Sequence, residues 1–238
     1  TSAAGATRGR TSLTIGVPRE YFDLEGDNKG LDNGVANNFR NSIKKLEDLG
    51  HSVKQVSLPH TEYVLGCYYV IVPAEVSANL ARFDGVKYGL YQEGKNLFED
   101  YLKTRGAGFG KEVRRRIILG TYVLSDGYYE AFYSRAQKIR VLIKEDFKKV
   151  FSPSAGGADI LLTPVSPTAA FKIGEKTDDP VKMYLADIFT VSANLAGLPA
   201  LSVSNGFIES DGVKLPSAIQ LIAPWFEEEK LFYLGKQL

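Results

Sequence analysis

The stretch "LTIGVPREYFDLEGDNKGLDNGVANNFRNSIKKLEDLGHSVKQVSLP", residues 13–59, contains the pattern that decides the fold. It begins with a short apolar run, typical of a buried strand, and ends in an alternation of polar and apolar residues, typical of a strand with one buried face. Between them, apolar side chains recur at helical spacing over residues 34–50, and Gly50 is suited to end that helix. A strand, a helix and a strand in this order predict a β-α-β unit, and therefore an α/β fold with crossover helices.

The middle of the chain is predicted to be mostly helical. Residues 62–85 form one largely helical region, in which Pro73 causes a break or a kink because proline lacks a backbone N–H. Residues 111–151 are expected to form one or two long helices, interrupted near Gly120 and Gly127. Continuous apolar runs, which are typical of further buried strands, occupy residues 158–167 and 217–224.

The composition excludes several classes of protein. A chain of 238 residues with 44% hydrophobic residues and a formal net charge of +1 can bury a sizeable core and has no charge excess that suggests a nucleic-acid or membrane surface. Cys67 is the single cysteine and there are two histidines, so neither a disulfide framework nor a Cys/His zinc cluster is expected. Residues 1–12 are expected to be a linker or a ragged start, and no apolar run reaches transmembrane length.

A polar residue in an apolar helix raises the first functional question. A helix is predicted over residues 180–196, with Asp179 as its N-cap and Gly197 as its end. Asp187 and Asn194 lie seven residues apart and are expected to project along one edge of that helix, beside its apolar stripe. Two interpretations stay open from the residues alone: a solvated helix flank, or a pocket that both side chains share.

Three segments, residues 58–89, 104–140 and 161–203, closely resemble the amidase signature family, and within it the A subunit of the glutamyl-tRNA(Gln)/aspartyl-tRNA(Asn) amidotransferases. The resemblance runs from about residue 13 to 238 and corresponds to the C-terminal half of that subunit, so residues 13–238 are expected to be the C-terminal part of an amidase domain. It implies the amidase signature fold, a mixed β-sheet covered by helices on both faces.

The resemblance also implies an activity. The A subunit hydrolyses glutamine to glutamate and ammonia, and the ammonia reaches a B subunit, where glutamyl-tRNA(Gln) is converted to glutaminyl-tRNA(Gln). The expected partners are the B and C subunits of a heterotrimer, glutamine, and the mischarged tRNA through the complex, with no membrane. No cofactor or metal is expected in this chain, whereas ATP and Mg²⁺ belong to the B subunit. The expected location is the bacterial cytoplasm, with the mitochondrial matrix or a plastid as alternatives.

The family's catalytic residues, a Ser-cis-Ser-Lys triad, are expected upstream of this chain. No two serines are adjacent anywhere in residues 1–238, so no catalytic residue is assigned here and the isolated chain is predicted to be inactive. Lys172 and Lys176 are excluded as catalytic lysines for the same lack of motif context. Structural roles are expected for the serines that lack a Gly-rich neighbourhood: Ser125, Ser166, Ser192 and Ser202.

Free glutamine carries an α-carboxylate and an α-ammonium, so a site for it needs a cation and an anion. The resemblance places Arg116 of "RRRIILGT" at the carboxylate and Asp187 of "YLADIFT" at the ammonium, with Tyr68 of "CYYVI" lining the site. The adjacent Tyr69 leaves the tyrosine register open. Residues 114–116 form an arginine run that could equally be a solvated helix face. Two other classes stay open: an amidase for aryl or fatty amides, and a non-catalytic interaction module.

Overall fold

The computed structural model describes residues 12–26, 30–87, 89–155, 157–175 and 180–238. Of the linker or ragged start predicted for residues 1–12, all but residue 12 lies outside these ranges, as does the N-cap predicted at Asp179. The chain divides into two compact units, the first formed by residues 1–65 and 140–238 and the second by residues 66–139. The prediction that residues 13–238 are part of one amidase domain stays a prediction.

The first unit contains a mixed β-sheet. Its strands are β1 (Thr14–Pro18), β2 (Ser52–Val56), β3 (Ile160–Pro164), β4 (Ala200–Ser210) and β5 (Val213–Ile222), in the order β2-β1-β3-β5-β4. Strand β1 is parallel to β2 and β3, whereas β5 is antiparallel to β3 and β4. The sheet therefore confirms the predicted α/β class and its mixed character.

The helices follow the order of the chain. They are α1 (Asn33–Asp48), α2 (Val64–Leu80), α3 (Leu97–Gly108), α4 (Lys111–Val123), α5 (Arg135–Phe151), α6 (Pro180–Leu185), α7 (Val191–Ala196) and α8 (Glu228–Gly235). Short 3₁₀ turns cover Pro59–Tyr63 and Pro153–Ala155, and a π-helical turn covers Tyr129–Ser134.

The predicted β-α-β unit is confirmed. Strands β1 and β2 pair in parallel, and α1 connects them. The N-cap of α1 is Asp32, whose side chain accepts a hydrogen bond from the Gly34 backbone N–H at 2.8 Å. Gly16 lets β1 approach its neighbours closely, because a Cβ atom there would lie 2.7 Å from Leu161 Cδ2. The close packing of β1, which lies between β2 and β3, therefore depends on a residue without a Cβ atom.

Gly120 does not interrupt a helix, so that prediction is wrong. Helix α4 continues through it to Val123, and the break comes later, around Gly127, which has φ 76°. A Cβ atom at Gly120 would lie 1.9 Å from the carbonyl oxygen of Pro73. The glycine is thus explained by close packing of α4 on α2, in which Pro73 lies inside the helix, rather than by chain flexibility.

The continuous helix predicted over residues 180–196 is also wrong. Helix α6 ends at Leu185, five residues form turns, and α7 begins at Val191. Ile188 and Thr190 are β-branched, which lowers helix propensity. Gly197 does end α7 as predicted, in the left-handed conformation with φ 72°.

The packing at Gly120 gives a stability prediction. Gly120→Ala should lower the free energy of unfolding by about 1–3 kcal/mol, because the new methyl group collides with backbone rather than with a side chain that could move. The matched control is Gly66→Ala in α2, where nothing lies within 4 Å of the new Cβ, and which should be neutral or slightly stabilising. Urea unfolding measures both, and equal effects of the two substitutions would contradict the assignment.

Candidate functional site

Asp187 lies in the turn between α6 and α7. Its backbone N–H donates to the Tyr184 carbonyl at 3.1 Å, and its carbonyl accepts from the backbone N–H groups of Thr190 and Val191 at 3.0 and 3.2 Å. Its side chain is exposed, and its carboxylate has no hydrogen bond or ion pair with any residue that the structure describes. The backbone is therefore fixed while the charged group remains available to a ligand.

Buried Gln220 on β5 explains why the chain turns here. Its Nε2 donates to Thr163 Oγ1 at 2.9 Å and to the carbonyl of Phe189 at 3.1 Å. A buried amide without partners would cost about 1–3 kcal/mol, so the Phe189 carbonyl is held toward the sheet. The Phe189 ring, 4% exposed, packs edge-on against Tyr21 with centroids 5.2 Å apart.

The prediction that Asn194 and Asp187 share one edge of a helix is wrong. Asp187 lies in the turn, whereas Asn194 lies in α7. Its Nδ2 donates to the carbonyl of Thr190, the residue before α7, at 3.0 Å. The side-chain amide of Asn194 thus donates to the backbone one turn earlier, which favours a structural role over ligand binding.

A cavity of about 650 Å³ opens beside this turn, within the first unit. Leu185 at the end of α6 and the turn residues Ile188 and Phe189 line its wall. Glu20, just after β1, also lines it, with Oε1 accepting a 2.6 Å hydrogen bond from Ser57 Oγ. Its buried Oε2 has no hydrogen-bond partner among the described residues. The wall is mainly apolar, and no motif or spacing in the sequence indicates that the Glu20 carboxylate lies in it.

Arg116 lies on α4 in the second unit, with its side chain 25% exposed. Its Nε donates to Glu112 Oε1, one turn earlier, at 3.0 Å. Arg115 shares this partner, since its Nη1 donates to Glu112 Oε2 at 2.8 Å, whereas Arg114 Nε donates to the Phe109 carbonyl at 2.7 Å. The run is therefore not a uniform solvated face.

Both tyrosines of the predicted pair contact Arg116. The Tyr69 ring lies under the guanidinium at 5.8 Å from its centroid, and the Tyr68 hydroxyl reaches the guanidinium from the same helix. Burial lowers the pKa of Arg116, but the hydrogen bond and charge of Glu112 and the contact with Tyr68 outweigh it, so the pKa is raised. The group stays charged at any physiological pH.

Helix packing explains this cluster. The guanidinium of Arg116 lies over the Tyr69 ring, and one helical turn later Gly120 lies against the carbonyl of Pro73, so two contacts join α4 to α2. Gly120 permits the close approach at Pro73, because a Cβ atom there would collide with backbone. The structure brings Arg116 and Tyr68 together, while Asp187 belongs to the first unit. Glu112 and the ring of Tyr69 were missed, although a Glu four residues before an Arg is a recognisable helix pair.

Three of the residues to which no catalytic role was assigned, Ser192, Ser125 and Lys172, have structural partners. Ser192 Oγ accepts from Tyr21 Oη at 2.9 Å, and Ser125 Oγ donates to the Tyr122 carbonyl at 2.6 Å. Lys172 pairs with Asp211 at 2.9 Å, both largely exposed. Lys176 lies outside the described residues.

Neither a metal centre nor a spanning helix is found in the part of the chain that the structure describes. It contains no group of three or more His, Cys, Asp or Glu side chains that could hold a metal ion. None of the helices in those ranges has the length and apolar character to cross a membrane.

Known proteins of similar sequence match nearly the whole chain. The family model described as Amidase matches residues 2–232. The A subunit of the glutamyl-tRNA(Gln) amidotransferase of Thermodesulfovibrio yellowstonii is 52% identical over 223 residues, which are 94% of this chain and 44% of that protein. The corresponding A subunit from Chloroflexus aggregans is 53% identical over 223 residues, again 94% of this chain and 43% of that protein.

Among solved structures, the A subunit of the glutamyl-tRNA(Gln) amidotransferase from Thermotoga maritima matches with a TM-score of 0.63 and 41% identity, over 92% of this chain and 40% of that one. The chain thus spans somewhat less than half the length of the relatives it matches.

Tyr21 supports the Asp187 turn through Phe189 and Ser192, and its ionisation gives a second prediction. Desolvation by burial raises the pKa of Tyr21 to about 12, although the hydrogen bond to Ser192 opposes this. The folded pKa exceeds that of the unfolded chain, so the associated stability is present below pH ~10 and is lost as the pH rises toward ~12.

Tyr21→Phe cannot ionise. Between pH 9 and 12 the wild type should therefore lose about 2–3 kcal/mol more unfolding free energy than the variant does. The measurement is urea unfolding across that pH range, and parallel pH profiles for the two proteins would contradict the burial of an un-ionised phenol.

Proposed function

Since the chain belongs to the amidase family, we propose that it is the glutamine-binding part of the amidase subunit of a tRNA-dependent amidotransferase. The complete subunit would hydrolyse glutamine to glutamate and ammonia. The ammonia would convert glutamyl-tRNA(Gln) to glutaminyl-tRNA(Gln), which makes the assembly a carbon–nitrogen ligase with glutamine as nitrogen donor. The identity of about one half to subunits of that name supports this assignment over an amidase for aryl or fatty amides.

The observation that carries the proposal is the state of the two charged groups expected to recognise a free amino acid. Arg116 is held between Glu112 and the Tyr68–Tyr69 pair and keeps its charge. Asp187 lies in a hydrogen-bonded turn, and its carboxylate makes no hydrogen bond or ion pair with a described residue. A guanidinium suits a planar carboxylate and a carboxylate suits an ammonium, so each of the two groups has the chemistry that one end of glutamine needs.

In the proposed reaction this chain binds and orients the substrate. Arg116 would pair with the α-carboxylate, Asp187 with the α-ammonium, and the Tyr68 hydroxyl would line the site beside Arg116. Fixing both ends of the substrate positions the side-chain amide for attack, which is a large part of catalysis in acyl transfer. The attacking serine would come from the Ser-cis-Ser-Lys triad in the remainder of the amidase domain.

The proposal includes the expected surroundings. The amidase subunit would work with B and C subunits and, through the complex, with mischarged tRNA. It would need no cofactor of its own, and ATP and Mg²⁺ would bind the B subunit. We expect the complex to function in the bacterial cytoplasm, where aminoacyl-tRNA is used, or otherwise in a mitochondrial or plastid matrix.

Asp187→Asn in the complete complex tests the assignment. It keeps the shape but removes a charge-assisted contact, which should cost on the order of 2–4 kcal/mol, or about thirty- to a thousandfold in glutamine-dependent turnover. Activity with added ammonium salts bypasses the glutamine site and should be retained. Steady-state rates with the two nitrogen donors give the answer in one variant.

The matched control is Asp211→Asn, which makes the same chemical change at a largely exposed carboxylate on the β4–β5 turn. It should leave both activities unchanged, because exposed ion pairs contribute little. Equal losses with glutamine and ammonia in Asp187→Asn, or no loss with either, would remove Asp187 from the substrate site.

The isolated chain of 238 residues should release no ammonia from glutamine. Binding groups without a nucleophile cannot form the acyl intermediate. The measurement compares ammonia release by equal concentrations of the purified chain and of the complete amidase subunit. Ammonia release that depends on one of the chain's own serines would place the nucleophile inside these residues and overturn this division of labour.

A further inference from the structure

Glu112 is the residue that fixes the orientation of Arg116. Its two carboxylate oxygens are used separately: Oε1 accepts from Arg116 Nε at 3.0 Å and Oε2 accepts from Arg115 Nη1 at 2.8 Å. Its side chain is 45% exposed, as is that of Arg115, so the pair with Arg115 is open to solvent. The side chain of Arg116 is less exposed, at 25%.

The donor count shows what this contact leaves free. A guanidinium has five N–H donors, one on Nε and four on the Nη atoms. Glu112 takes the Nε donor, and the Tyr68 hydroxyl, which has two lone pairs, takes at most two more. At least two Nη donors remain, the number that an arginine uses in its two parallel hydrogen bonds with a carboxylate.

We propose that Glu112 is a positioning residue for glutamine: it holds the Arg116 guanidinium by Nε, so that the Nη edge is presented to the α-carboxylate. This rests on the proposed function. The Tyr69 ring supports one face of the same guanidinium, which limits rotation about its last bonds. Without Glu112, binding of glutamine would have to order a long, flexible side chain.

The size of the effect follows from that ordering. Immobilising one rotamer-rich side chain costs enough to change an equilibrium constant about three- to tenfold. The ion pairs of Glu112 lie near the surface, and pairs of this kind contribute little to folding stability. A substitution should therefore change recognition of glutamine much more than stability.

The test uses Glu112→Gln in the complete complex. The KM for glutamine should rise about three- to tenfold, with ammonia-dependent activity unchanged. The preference for glutamine over its α-amide, which lacks the carboxylate, should fall by a similar factor. A purely structural role would not change that preference.

Two further variants separate the possible failures. Arg115→Gln removes the exposed ion pair between Arg115 and Glu112, and it should leave the KM for glutamine within about twofold of wild type. In an Arg116→Ala background, Glu112→Gln should have no additional effect on the KM, because the group it positions is gone.

An unchanged or lowered KM in Glu112→Gln, together with a raised KM in Arg116→Ala, would overturn the role of Glu112 alone. An unchanged KM in Arg116→Ala would instead overturn the proposed glutamine site, and with it this inference.

Discussion

The buried amide of Gln220 is the constraint on which the Asp187 side of the molecule depends. A primary amide in the core must have acceptors, and it finds them in Thr163 on β3 and in the Phe189 carbonyl. The second contact fixes the chain between α6 and α7 to the sheet. This hydrogen bond from β5 favours a turn over a continuous helix, and the turn leaves the carboxylate of Asp187 exposed while the Phe189 ring is buried.

The arginine side of the site follows from a packing constraint instead. Helix α4 can approach the backbone of α2 only where a glycine, Gly120, faces Pro73. That approach brings Arg116 over Tyr69 one turn earlier, in a half-buried position where a lone guanidinium would be costly without Glu112. The charged group is thus held by ordinary helix chemistry: an i, i+4 ion pair and an aromatic face on a neighbouring helix.

The sequence predicted the elements whose periodicity is strong, and missed those set by distant contacts. The β-α-β unit, β3, β5 and the end of α7 at Gly197 were all visible in local pattern. The break before α7 was not, because its cause is an amide on β5, 31 residues from Phe189 along the chain. Gly120 was mistaken for a break because the sequence does not show which backbone lies against it. The Arg116 and Asp187 assignments came from resemblance, and their substrate roles remain proposals, while the positions of Glu112 and Tyr69 around Arg116 required the structure.

In the proposed enzyme, Arg116 and Asp187 recognise the two charged ends of glutamine, and the nucleophile lies in the rest of the amidase domain. The most direct measurement is a crystal structure of the complete amidase subunit with its nucleophilic serine replaced by alanine and glutamine bound. In that structure, Nη atoms of Arg116 should lie at hydrogen-bond distance, about 3 Å, from the α-carboxylate, and the Asp187 carboxylate should lie at a similar distance from the α-ammonium. Glutamine bound with both charged ends on other residues would contradict this assignment.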